Sequence, residues 1–209
     1  MGGIQQVENS KKEIRYGELR AADMPDDTET KNTVEGYAVV FEQPTVIFSN
    51  GDTDYKEVVD RDALVGADLS DVPFKYNHSD NVMVMARTRN KTLTLTVDKM
   101  GLNIKAELAN TTSGNDMYEL IRRGDVDKMS YAYTVAEDSY DHITQTRRIL
   151  KIKKLYDVSA VDLPAYDQTS ISARDYFNAQ EEMEKRAVEE QQKSEMEIKR
   201  RRLELAEKE

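Results

Sequence analysis

Two neighbouring runs constrain the fold of this chain more than any other feature. Met129, Tyr131, Tyr133 and Val135 alternate with Ser130, Ala132, Thr134 and Ala136, a strand periodicity that puts bulky side chains on one face and small ones on the other. A second apolar run extends from Arg148 to Val161, and only polar residues 138 to 147 separate the two. Together they predict a long antiparallel hairpin to which the remaining strands must register. The small-residue face leaves room for a ligand beside Ser130.

The segments before the hairpin read as short strands and one helix. Ser113-Gly114-Asn115-Asp116 has capping-box spacing, Met117, Leu120 and Ile121 form an apolar stripe, and Arg122-Arg123-Gly124 supplies cations and a glycine stop. Strands are predicted near Glu13–Arg20 and Thr33–Phe41. A hairpin is predicted across Asn50-Gly51, joining Val46–Phe48 to Tyr55–Val59. Asp60 reads as the cap of a short helix through Leu64, and Val72–Asn77 as an edge strand that delivers His78. Val82–Arg89, Thr92–Val97 and Leu102–Leu108 read as an antiparallel meander.

The ends differ in kind. Residues 1–11 are polar and aperiodic, which predicts a disordered leader, and Asp23–Asp27 reads as a loop. From Asp175 the composition turns to Glu, Lys, Arg and Gln. Pairs such as Glu181/Lys185 and Glu197/Arg201 place the acid four residues before the base, as a solvated helix favours. The apolar residues there are too sparse for a heptad seam, so a lone helical tail is predicted over 175–209, after a domain at 12–174.

Composition then removes function classes. The 209 residues include no cysteine and two histidines far apart, which excludes disulfides and thiolate metal sites and disfavours a histidine-rich one, so no metal and no cofactor is expected. A net charge of -10 argues against a nucleic-acid partner, which would require a basic surface. No apolar run approaches the ~20 residues that span a bilayer, so no membrane partner is expected.

A serine attacks a carbonyl only when a base removes its proton, and histidine is the usual base. His142 falls at the predicted hairpin tip, 12 residues from Ser130, or about 40 Å along extended strands. His78 is therefore the better candidate unless the tip folds back. A loop centred near residue 142 would pair Ser130 with residue 154, leaving Asp157 a near neighbour able to orient His78. A Ser/Lys dyad through Lys128, Lys153 or Lys154 fits the spacing too, as does the plain alternative of a surface histidine and a small strand serine.

The order of these elements resembles that of the prohead proteases of tailed bacteriophages, whose fold is similar to herpesvirus assemblin. The resemblance runs from about Lys12 to Arg174. It is carried by Glu57-Val58-Val59, Tyr76-Asn77-His78-Ser79-Asp80, Gly101-Leu102, the helix ending at Gly124, Met129-Ser130-Tyr131-Ala132-Tyr133, and Leu155 to Ala165. It implies an antiparallel β-barrel with flanking helices. It also implies Ser130 as nucleophile, His78 as general base and Asp157 as the third member; assemblin uses a second histidine there, a role open here only to His142. The sequence departs from many relatives at Tyr131-Ala132-Tyr133, where glycine and phenylalanine follow the serine, and at Asn77 and Ser79, where an acid is common.

The implied function is a serine endopeptidase of capsid maturation, located inside the prohead in the bacterial host cytoplasm. Its partners would be the major capsid protein and scaffold, with self-cleavage and self-association. The alternative from another class is a catalytically inactive scaffold or assembly protein acting through its helical tail.

Overall fold

The computed structural model describes residues 4–5, 12–22, 32–81, 83–162 and 166–206. The expected loop at Asp23–Asp27 and most of the expected leader lie outside these residues. The part of the leader that is described, Ile4–Gln5 (β1), is a strand paired with the long hairpin at Ser139 and Asp138. Two compact units divide at residues 169 and 170. The second consists of most of a single helix, Tyr166–Ala206 (α2), whose described side chains are mainly exposed and charged.

The first unit is built on the predicted hairpin, Lys128–Asp141 (β10) and Thr146–Val161 (β11). Ahead of it come Glu13–Ala21 (β2), Thr33–Val40 (β3), Thr45–Asn50 (β4), Thr53–Val59 (β5), Pro73–Tyr76 (β6), Ala86–Arg87 (β7), Leu93–Val97 (β8), Gly101–Glu107 (β9) and the helix Thr112–Arg123 (α1). The sheet runs β4-β5-β11-β10-β2-β3-β9-β8, with β6 also on β11 and β7 on β6. β10 occupies one edge of β11. The other edge receives β5 at Thr146–Ile149, a bridge from Asp68 to Lys154, and β6 at Val158–Ala160, all in parallel.

The expectation of an antiparallel barrel is corrected in this respect. The fold is mainly β with two helices, but its sheet is mixed, and its end strands β4 and β8 do not pair with each other among the described residues. Each parallel pair is closed by a long connection that includes β10, while residues 60–72 run along β11 from β5 to β6, with Ile152 N–H donating to Ala63 C=O and Asp68 bridging Lys154. That path explains a second correction. Asp60–Leu64 forms turns instead of a helix, with Ala63 N–H donating to Asp60 C=O and Asp62 N–H to the Asp60 carboxylate. Of the expected meander, β8 and β9 pair antiparallel as read, but β7 pairs with β6 instead of β8.

Local punctuation otherwise acts as its chemistry dictates. Gly51 takes φ 59 at the β4–β5 turn, and Gly124 takes φ 82 to close α1. The cap of α1 is Thr111, whose hydroxyl accepts from Gly114 N–H at 3.2 Å, two positions before the expected Ser113. Met117 and Ile121 carry the helix onto the sheet while Leu120 sits at the rim. β2 and β3 cross so tightly that a Cβ on Gly36 would lie 2.0 Å from Glu18 C=O.

The core of Val34, Phe74, Ile104, Met129, Tyr133, Ile149 and Leu155 encloses an ionic cluster on the bulky face of β10. Arg15 grips Glu57 through two bonds of 2.7 and 2.6 Å and touches Glu13 at 3.0 Å. Arg147 joins Glu13 at 2.7 Å and Asp138 at 2.6 Å. Burial lowers the acidity of Asp138 enough to outweigh Arg147, and its carboxyl titrates above the usual range.

Arg147→Ala strands these carboxylates in the core. It is expected to destabilise the protein by about 3–5 kcal/mol in urea denaturation. The raised Asp138 implies stability that is fully present below the ordinary carboxylate range and lost as pH rises through its folded value. Asp138→Asn is expected to flatten that slope, a result read from denaturation midpoints across pH.

Candidate active site

Ser130 pairs across the hairpin with Ser159, and Ala132 pairs with Asp157, so Ser130, Asp157 and Ser159 share one face. The register differs from the expected pairing with residue 154. The turn lies between Asp141 and Thr146, further along than His142, and β-bulges between Ala132 and Asp138 add the remaining offset. The small face is also buried: Ser130, Ala132, Thr134 and Ser159 are each 3% exposed or less.

The base arrives from β6. Its parallel register puts Lys75 beside Ser159 and Tyr76 beside Ala160, and Asn77 N–H then donates to Ala160 C=O at 2.9 Å. There the chain turns away through two left-handed residues, Asn77 at φ 50 and His78 at φ 54. Asparagine adopts this region readily and histidine less so, each at about 1–3 kcal/mol. The turn is held from both sides. Ser79 N–H donates to Tyr76 C=O, and the Asp162 carboxylate accepts from Tyr76 Oη at 2.8 Å and from Asn77 Nδ2 at 3.0 Å.

The imidazole that results spans the hairpin. His78 Nε2 lies 2.6 Å from Ser130 Oγ, and His78 Nδ1 lies 2.6 Å from Asp157 Oδ1. A carboxylate can only accept, so Nδ1 carries the proton and Nε2 is left as an acceptor facing the hydroxyl. Ser130 has one proton and two acceptors for it, Nε2 and the Arg15 carbonyl at 3.0 Å. The shorter contact favours the histidine. This geometry can hold, move and return a proton at Ser130 Oγ.

The other sequence candidates are elsewhere. His142 is exposed in the hairpin turn, stacked edge-on against Tyr140, and not at Ser130. Lys128 contacts Asp127 and Glu18, and Lys154 is paired with Asp68 at 2.8 Å; no contact brings either to Ser130. Among the described residues, no three His, Asp or Glu side chains are grouped to hold a metal ion.

Sequence reasoning did not single out Ser159. Its hydroxyl donates to Asp157 Oδ1 at 2.9 Å and accepts from His78 N–H at 3.3 Å. The available signal was its spacing of two from Asp157 on an alternating strand, which puts both on one face. Asp162, which anchors the His78 turn, was likewise missed.

The family model described as caudovirus prohead serine protease matches residues 18–197, a range that contains Ser130, His78, Asp157 and Ser159. The prohead protease of Enterobacteria phage HK97 is 29% identical over 152 residues, which cover 71% of this chain and 65% of that protein. The chain thus spans slightly less than two thirds of that relative. No solved structure matches. The match over most of the chain places it, by sequence, in the caudovirus prohead serine protease family.

Proposed function

We propose that this chain is a serine endopeptidase of phage capsid maturation in which Ser130 is the nucleophile, His78 the general base and Asp157 the group that orients His78. The observation that carries the reading is the pair of 2.6 Å contacts on the two nitrogens of one imidazole. Ser130 Oγ attacks the peptide carbonyl as its proton passes to His78 Nε2. The imidazolium is stabilised by Asp157 at Nδ1 and then gives the proton to the leaving amine. Water repeats the sequence to release the acyl group.

The substrates in this reading are the scaffold or the scaffold-like segment of the major capsid protein, and the chain itself, within the prohead in the host cytoplasm. No helix among the described residues is long and apolar enough to cross a membrane. Family membership and the contact geometry favour this reading over an inactive assembly protein.

A fluorophosphonate probe tests it. Full-length protein is expected to gain one phosphonyl group at Ser130, mapped by peptide mass spectrometry. An unlabelled wild-type protein with a folded-state denaturation curve sinks the assignment.

A further inference from the structure

We propose that Ser159 is a fourth member of the site, a positioning residue that fixes both the carboxylate and the main chain on which the base depends. This inference rests on the serine endopeptidase reading. Ser159 has no exposed surface and sits between Val158 and Ala160, which are also buried. A buried hydroxyl is unfavourable unless it is hydrogen-bonded, and alanine would serve the sheet as well. The reason for a hydroxyl here lies in where its bonds go.

Its named polar contacts all reach His78 or Asp157. The Oγ proton goes to Asp157 Oδ1, the same oxygen that accepts from His78 Nδ1. One lone pair receives His78 N–H, and the other faces His78 Nδ1 at 3.4 Å. With the Nδ1 proton given to Asp157, the hydroxyl is held by one donated and one accepted bond, and both lead to the base.

Two consequences follow for the base. Converging donors on Oδ1 hold the carboxylate in the rotamer that faces Nδ1. The bond to His78 N–H holds the left-handed main chain from which the ring projects to Ser130, while the carboxylate holds the ring itself at Nδ1. Ser159 lies directly across the ladder from Ser130, so one rung of the hairpin carries both the nucleophile and the group that fixes its base.

The experiment uses full-length wild type, Ser159→Ala and Ser159→Thr with the fluorophosphonate probe, whose attack by Ser130 Oγ forms the P–O bond, expels fluoride and passes the proton to His78. Ser159→Ala is expected to lower the maximal labelling rate about 10- to 100-fold with the half-saturating probe concentration unchanged, the scale on which outer-shell partners act. Ser159→Thr, which keeps the hydroxyl, is expected to recover most of the rate. The His78 Nδ1–H proton resonance, separated from that of His142 with His142→Ala, is expected to shift or broaden in Ser159→Ala.

A folded Ser159→Ala with wild-type rate and resonance overturns the proposal and leaves the endopeptidase reading intact. So does a rate loss matched by lost stability, with an unchanged resonance and no recovery in threonine. If wild type itself is unlabelled, the endopeptidase reading fails. The resonance then decides the role of Ser159 alone, an unchanged signal overturning it.

Discussion

Ser130→Ala is expected to abolish processing when the full chain is expressed with the major capsid protein and scaffold, with a fall of about 10⁶-fold in kcat on any isolated peptide substrate. The substitution removes one oxygen. That oxygen is the reacting atom and the partner of His78 Nε2, so no other group in the contact set can replace it. The backbone bonds to β2 and β11 do not involve the side chain, and the small face already accepts Ala132, so the fold is retained. The readout is capsid protein and self-cleavage on denaturing gels beside thermal unfolding. Identical processing by wild type and Ser130→Ala would return the chain to the assembly class. Ser130 is also completely buried, so labelling and turnover require the surrounding surface to open, and their rates include that equilibrium.

Asp157→Asn is expected to lower kcat by about 10⁴-fold, while His142→Ala leaves it unchanged. An asparagine amide can donate toward Nδ1, which moves the ring proton to Nε2 and leaves Ser130 facing a donor instead of a base. Asp157 is 5% exposed, so water does not substitute for the lost acceptor. His142 lies in the turn at the far end of β10 and β11, with its main-chain carbonyl held by Gln145 Nε2 at 2.8 Å. Kinetics on the pair decide which residue is the third member. A large loss in His142→Ala with none in Asp157→Asn would reverse the assignment.

The hairpin was legible because its alternation is local, and it brought Ser130 and Asp157 onto adjacent strands even though the expected register was wrong. Bulges leave no mark on a pattern of period two, and together with a turn lying further along than His142 they moved the partner of Ser130 from residue 154 to Ser159. The parallel docking of β5 and β6 on β11 was not legible, because crossover pairings depend on contacts far apart in the chain. The ionic cluster was hidden for another reason. Ile14 and Tyr16 alternate with Glu13 and Arg15, so polarity alone would turn the charges outward. They face inward because Glu57, Asp138 and Arg147 on other strands compensate them.

The parallel register of β6 gives the site an unequal architecture. The hairpin closes a turn of a few residues and by itself assembles Ser130, Asp157 and Ser159. His78 joins only when a four-residue strand closes a loop of 79 residues back to Asp157, a less probable event for a flexible chain. Undocking β6 would leave the hairpin whole and its serine without a base. The base of the site therefore depends on one short, non-local strand, and any opening that lifts Pro73–Tyr76 from β11 must also expose the fully buried Phe74.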